Sequence, residues 1–460
     1  MSKFTKLMVI ALSLVITAAA WGMLATMGTR LTAEQEQILA RAQYYISRSD
    51  YGRAIPALHE ALALSPGNDP NILYQIAAVH SAAGNYGQHR AVIQILIDER
   101  ILPSGVSLAE LYLKALYFDR DNRNMRDVIA LARQGAEVTG DRRLIDYYEE
   151  YRYAIVPRRG LYQEAGVIFG GTAPVKQNDL WGFVNARGAT MMNPQFDLAT
   201  RFVGNYAVVQ TGNYLRIINR GGARQAHVLD NAFWARSIAQ FNGTNFAIAI
   251  YGDSEYTFAS RSNLDIIIPT TDTFRFIGLP TDGIRALQRE DGVWRITDNS
   301  DRTPNITSDF IYDSIAVDEL GRAAVGGRLF IKTNGQYHMI DYAGSIIGES
   351  FDEAHPFFEA GGLAAVRRGE LWGFVNINGE LVIDFIFDNA RSSSFGLAPV
   401  NIDGLWGYIT VEDYPEHLRE SFFGRIVIEA QFADAKQFVN GVAPVMNESG
   451  WIYIALIAHE

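Results

Sequence analysis

Cysteine is absent from the 460 residues, which excludes disulfides, thiolate metal sites, a cysteine nucleophile and a lipid-modified cysteine anchor. A domain with a large core can do without disulfides outside the cell, so this absence does not argue against export. Positive charge is also scarce: the formal net charge is -11, and the only concentrated positive charge is Lys3 and Lys6, so no nucleic acid is expected as partner. The eight histidines are scattered, no HExxH occurs and glycine-rich phosphate loops are missing, so neither a metal nor a cofactor has support. What is plentiful is apolar: 48% of residues are hydrophobic, enough for two or three folded domains and too much for disorder.

The run LMVIALSLVITAAAWGML, Leu7 to Leu24, carries no charge and is long enough to cross a bilayer as one helix, which takes roughly 17 to 25 residues. Lys3 and Lys6 precede it and only Arg30 follows closely, so the positive-inside rule places the N-terminus in the cytoplasm and the rest of the chain outside. Residues 1–30 are thus expected to be a single-pass membrane anchor. The alternative is a signal peptide cleaved near Ala20, after the small residues Ala18-Ala19-Ala20. Both readings export the remainder.

From residue 31 to 152 the apolar spacing is helical, with punctuation at SRSD (47–50), SPGNDP (65–70) and AAGN (82–85), which predicts paired helices. Tyr45, Tyr51, Ala54, Leu58, Ala61 and Pro66 fall where the tetratricopeptide repeat family, with a unit of about 34 residues, places its packing residues. The segment resembles that family over 35–68, less closely over 70–103, where His89 replaces an expected small residue, and faintly beyond. The resemblance implies a short helical module serving as a spacer or platform, or as a peptide-binding groove.

Residues 153–460 read differently. LWGFVN occurs at 180–185 and again at 371–376, and LWGYIT at 405–410. A small strand and a polar turn precede each Trp-Gly pair (Ala173-Pro174-Val175, Ala364-Ala365-Val366, Ala398-Pro399-Val400), and a turn, an apolar strand and an aromatic-Asp corner such as Phe387-Asp388-Asn389-Ala390 follow. With the aromatic allowed to vary, the repeat aromatics are Trp181, Tyr214, Tyr256, Trp294, Tyr337, Trp372, Trp406 and Trp451, about 33 to 45 residues apart, the range of blade-like or solenoid repeats. Asn-Gly and Asp-Gly before the aromatic suit hairpins needing positive φ. The aromatic is expected to supply apolar area between units, and the glycine after Trp to mark a bulge or a close backbone approach.

These residues resemble the bacterial WG-repeat family, also called KWG repeats, over about 160–458. The last unit stops after Trp451-Ile452-Tyr453-Ile454, lacking a strand, while Tyr153-Ala154-Ile155-Val156-Pro157 and Tyr162-Gln163-Glu164-Ala165 look like the missing piece. The expected fold is therefore α+β in separate domains: an N-terminal transmembrane helix, a tetratricopeptide-like helical array, and an all-β propeller-like ring of about eight small blades whose two ends share one unit. Closure would remove exposed sheet edges; an open β array is the alternative.

No residue is nominated as catalytic, metal-binding or cofactor-binding. Gly252-Asp253-Ser254 loosely resembles the nucleophile block of GDSL-type esterases but stands in register as a hairpin turn, and DNSD at 298–301 is too short for a calcium loop. Asp197, Asp313, Asp352 and Asp388 recur after an aromatic and are expected to accept hydrogen bonds in their own turns. The expectation is a non-catalytic, membrane-anchored, extracytoplasmic binding or scaffold protein with a protein partner, its binding surface sought in units two to four. An enzyme acting on envelope polysaccharide, or a glycan binder, is the alternative, and several carboxylates converging from different units on one cleft would favour the enzyme.

Overall fold

Helix punctuation in the sequence translates directly into helix ends. A computed structural model describes residues 32–65, 67–121, 125–212, 214–222, 224–229, 238–242, 245–249, 256–260, 274–289, 291–298, 311–411 and 424–459. Its first seven elements are α1 (Ala33–Ser47), α2 (Tyr51–Ala63), α3 (Pro70–Ala82), α4 (Tyr86–Asp98), α5 (Leu108–Asp121), α6 (Met125–Thr139) and α7 (Arg142–Arg152). Thr32, Asp50 and Asp69 cap α1, α2 and α3 by accepting from Gln35 N, Arg53 N and Ile72 N, satisfying amides that a helix start leaves without partners. Ala42, Ala54, Leu58 and Ala61 are fully buried and Ala77 nearly so; small side chains there let successive helices approach closely. At Gly135 a Cβ would lie 2.9 Å from the Tyr112 ring and 3.0 Å from Leu144, so this position of α6 tolerates nothing larger. Pro66 lies outside the described residues.

The apolar run 7–24 also lies outside them, and among the described residues no helix is long and apolar enough to cross a membrane. The chain divides into two units, one ending at Arg152 and the other beginning at Tyr153.

The second unit is a β-propeller built from antiparallel sheets. Seven sheets are made of consecutive strands: sheet I spans residues 164–196, II 198–229, III 238–260, IV 274–298, V 314–351, VI 353–387 and VII 389–432. The remaining sheet is assembled from both ends of the unit, in the order Ile155–Pro157, Gly450–Leu456, Val442–Asn447, Asp434–Ala435. Instead of eight equivalent units, seven continuous ones follow one another, and the closing sheet belongs wholly to neither end. Ile155, Val156 and Pro157 pair with Leu456, Ala455 and Ile454. Beyond them Arg158 N donates to Tyr453 O at 2.7 Å, Tyr162 and Trp451 exchange amide bonds of 2.9 and 2.8 Å, and Ile457 N reaches Ala154 O at 2.9 Å. The Tyr153 and Thr410 hydroxyls add a buried hydrogen bond between them at 2.7 Å.

Each repeat aromatic stands at the start of the strand after its hairpin, and the hairpins use residues in the left-handed region, such as Asn334 (φ 53°) with Gly335 (φ 83°), the twist that two-residue loops require. Trp372 packs with Ala390, Ala398 and Val400 of the next sheet, Trp406 with Phe438, Ala443 and Val445, and Trp451 with Ala165, Ala173 and Val175. Tyr337 is likewise core, and Trp294 lies half-buried 5.4 Å from Phe276. Tyr214 and Tyr256 sit on their strands, but their side chains lie outside the described residues, as do Gly252-Asp253-Ser254 and residues 299–301.

The glycine after Trp has a single cause in the three Trp-Gly pairs of the β unit. Pairing skips Gly182, Gly373 and Gly407, and the next strand's backbone runs against them: a Cβ would fall 2.6 Å from Met192 O, 2.7 Å from Ile383 O and 2.5 Å from Ile428 O respectively. Backbone cannot rotate away as a side chain can, so Gly373→Ala is expected to cost about 3 kcal/mol, the upper end for overpacking, measured by denaturant titration against the parent chain. Removing Trp451–Glu460 takes away the strand to which Ile155–Pro157 pairs. We expect this truncation to abolish the cooperative melting transition of the β unit; a truncated chain melting like the intact one would contradict closure.

Candidate functional site

After the short first strand of several sheets comes one residue whose amide donates to the following strand. His355 N donates to Ala365 O, Arg391 N to Pro399 O, Lys436 N to Pro444 O and Gly166 N to Pro174 O. The side chain at this position covers the aromatic of its own sheet. The His355 ring stacks on Trp372 at 4.9 Å and 14°, Arg391 lies 4.5 Å above Trp406, and Lys436 lies 5.0 Å above Trp451. These three tryptophans are buried. In sheet I the covering residue is Gly166, and Trp181 is only half-buried, with Lys176 Nζ at 6.0 Å from its ring. Trp181 is therefore not the inter-unit core residue that its register predicts.

The space left there is a cleft of about 400 Å³ between sheet I and the closing sheet. Gly166, Pro174 and Trp181 form one wall, and Asp434, Lys436 and Trp451 the other. At its edge Tyr453 Oη donates to Gly166 O at 2.7 Å, which ties the two walls together. The same link recurs where Tyr408 Oη donates to Lys436 O at 2.8 Å.

A loop from sheet V reaches into the cleft with Glu319 and Leu320. It is held by a buried ion pair, Asp318 with Arg322 at 2.7 Å. Asp318 also accepts from Leu320 N and Arg322 N at 2.9 and 2.8 Å. Burial raises the Asp318 carboxyl against the pull of the Arg322 guanidinium. Arg322 lies 4.6 Å over Phe358 and 5.4 Å over Phe169 and donates to Phe358 O at 2.8 Å. Val167, Leu320 and Phe358 form a buried cluster with Phe169 and Val439 against it. Residues of sheets I, V, VI and VII's successor meet around this loop, and sheet II joins through Arg201, which donates to Glu319 O.

Three carboxylates from different sheets face the cleft, Glu164, Glu319 and Asp434, and each has a cation. Lys176 Nζ lies 3.3 Å from Glu164, Lys436 Nζ 2.7 Å from Glu319, and Arg391 Nη1 2.7 Å from Asp434. Arg201 Nη1, in contrast, is buried without a hydrogen-bond partner, and burial lowers the guanidinium's pKa. No group of His, Asp or Glu among the described residues could hold a metal ion. The recurring aspartates are elsewhere and spent: Asp197, Asp352 and Asp388 accept from Gly212 N, Gly369 N and Asp403 N at 2.6, 2.7 and 2.7 Å. Their partner is the tip of the following hairpin, 15 or 17 residues on, and not their own corner as the sequence suggests. Asp313 instead donates its amide to Lys332 O. Of units two to four, where a binding surface was expected, the strands of sheets II, III and IV are described, whereas residues 230–237, 250–255, 261–273 and 299–310 lie outside the described residues.

The family model described as WG containing repeat matches residues 181–214, 372–406 and 423–451. The β unit carries WG repeats. Two of the matched stretches begin at Trp181 and Trp372 and the third ends at Trp451, so the WG-repeat signature includes both tryptophans that wall the cleft. No curated protein matches the chain in sequence. Similar solved structures include BamB from Moraxella catarrhalis, at 11% identity and a TM-score of 0.39, covering 66% of this chain and 98% of that one. The Cps50 (Swd1) β-propeller domain from Myceliophteria thermophila has 9% identity and a TM-score of 0.35 over 66% and 99%. The Sgt2 TPR domain from Aspergillus fumigatus has 18% identity and a TM-score of 0.20 over 26% and 76%.

His355 gives the WG-repeat unit an acid-sensitive point. Burial, and then the positive charge of Arg391, lower its pKa from 6.5 to about 4. The unfolded chain therefore takes up this proton first on acidification, so the contribution is complete above the ordinary histidine value and is lost as pH falls toward about 4. Acidifying from about pH 7 to about pH 5 is expected to cost the parent at most about 2 kcal/mol through this group. His355→Phe, which keeps the stack on Trp372, should lose less over the same range in urea titrations; equal losses would remove His355 from the account.

Proposed function

We propose that the chain is a bacterial, membrane-anchored binding and scaffold protein, held by residues 7–24 with its N-terminus in the cytoplasm and residues 31–460 outside, and that it recognises its partner through the WG-repeat unit without chemical turnover. The observation that carries this reading is the state of the cleft. It offers an open aromatic face and fixed charges, while every carboxylate in it is engaged by Lys176, Lys436 or Arg391. A hydrolase would need one carboxyl able to give a proton and another able to take one, and here all three are tied into ion pairs.

The second reading, an enzyme acting on envelope polysaccharide, draws support from the convergence of Glu164, Glu319 and Asp434 from three different sheets. We rank it below recognition because of those ion pairs. The helical array serves in this account as a spacer between membrane and ring.

Crosslinking in intact cells, followed by membrane fractionation and mass spectrometry, tests the proposal with the full chain and variants lacking residues 31–150 or 160–460. All three proteins are expected in the membrane fraction, and a specific partner should survive the helical deletion and disappear with the β deletion. Loss of that partner only when 31–150 is removed would move recognition to the helices.

A further inference from the structure

Gly166 differs from His355, Arg391 and Lys436 at the matching position, and the consequence is chemical. Where His355, Arg391 and Lys436 seal their tryptophans, Gly166 leaves the Trp181 face open to a cleft whose rim holds Glu164, Glu319, Asp434, Arg201 and Lys436. We propose that this cleft binds a neutral pyranose ring of a glycan, stacked by its C–H face on Trp181. The inference rests on the reading that the WG-repeat unit is the recognition part of the chain, and it names the ligand class.

Three features select a sugar. A flat aromatic face beside a proline suits a ring with one apolar side. Around that face stand both acceptors, the carboxylates, and donors, Arg201 and Lys436. A ring of hydroxyls can answer both at once, since each hydroxyl donates and accepts. A proline-rich peptide would present apolar rings and carbonyls, and would offer the carboxylates no donors beyond the cations they already have.

Arg201 lines the cleft as well, its guanidinium held by a bond to Glu319 O. Glu164, Glu319 and Asp434 each face a cation of their own, so no strong charge of one sign dominates the cleft, which favours a neutral sugar over an acidic one.

The test uses purified full-length protein, with cellotetraose, maltotetraose and chitotetraose as probes, and reads tryptophan fluorescence and isothermal calorimetry. At least one of these oligosaccharides should bind, and Trp181→Ala should weaken it by about tenfold or more. Gly166→Lys is the sharper variant. A Cβ at Gly166 lies 3.2 Å from Pro174 Cδ, yet Arg391 and Lys436 occupy the matching place against Pro399 and Pro444, so the fold has room for it. This variant should melt like the parent and lose binding, with the new side chain over Trp181.

Unchanged affinity in both variants would overturn the inference, as would binding of a proline-rich peptide with no response to any of the sugars. Failure of all three sugars while partner capture still depends on residues 160–460 would also overturn it, and would leave the binding-protein reading standing.

Discussion

The whole β unit depends on one short pairing, that of Ile155–Pro157 against Gly450–Leu456. A sheet edge left open exposes a row of amides and carbonyls to water or to another chain. Here the edge at one end of the unit is filled by the strand from the other, and Tyr153, Ile155, Ile454 and Leu456 join one core cluster with Trp406 and Phe438. The order of the strands, the covered tryptophans and the cleft beside Gly166 all presuppose that the two ends are held together.

Much of this was legible because it is repeated. A residue that returns in register in every unit reports a constraint common to every unit: Trp372, Trp406 and Trp451 are inter-sheet core, and Gly182, Gly373 and Gly407 each face a backbone that passes too close for any side chain. Even the shared last unit could be read, since Tyr153-Ala154-Ile155-Val156-Pro157 supplies what the C-terminal end lacks. Repetition also misled. It places Trp181 in the core with its counterparts, whereas a single neighbour, Gly166, decides that its face is open. The signal was present, glycine where other units have His355, Arg391 and Lys436, but only the structure says what that position covers.

What periodicity cannot report is the meeting of unlike parts. The loop carrying Asp318, Glu319, Leu320 and Arg322 touches Phe169, Arg201, Phe358 and Lys436, residues far apart in sequence that share no motif. The hairpin-tip bonds of Asp197, Asp352 and Asp388 were half legible: the recurrence pointed to a structural acceptor, while the partner across the hairpin follows only from how each sheet folds back. The burial of Asp318 with Arg322 removes two charges from water at the point where several sheets converge. Such a pair fixes geometry more than it adds stability, because breaking it strands a charge while keeping it only balances desolvation.

The strand that completes the ring is also the first strand the chain enters after α7. Tension applied from the N-terminal side meets Tyr153, Ala154 and Ile155–Pro157, the seam of the ring, before it reaches any sheet of consecutive strands. The load would fall on the three residue pairs of the strand and on the seam bonds of Tyr153, Ala154, Arg158 and Tyr162, and their rupture would open the circle at its seam rather than unravel a blade. The same junction that gives the ring its closure thus makes it a mechanical fuse, with the cleft beside Trp181 walled by the two sheets on either side of the break.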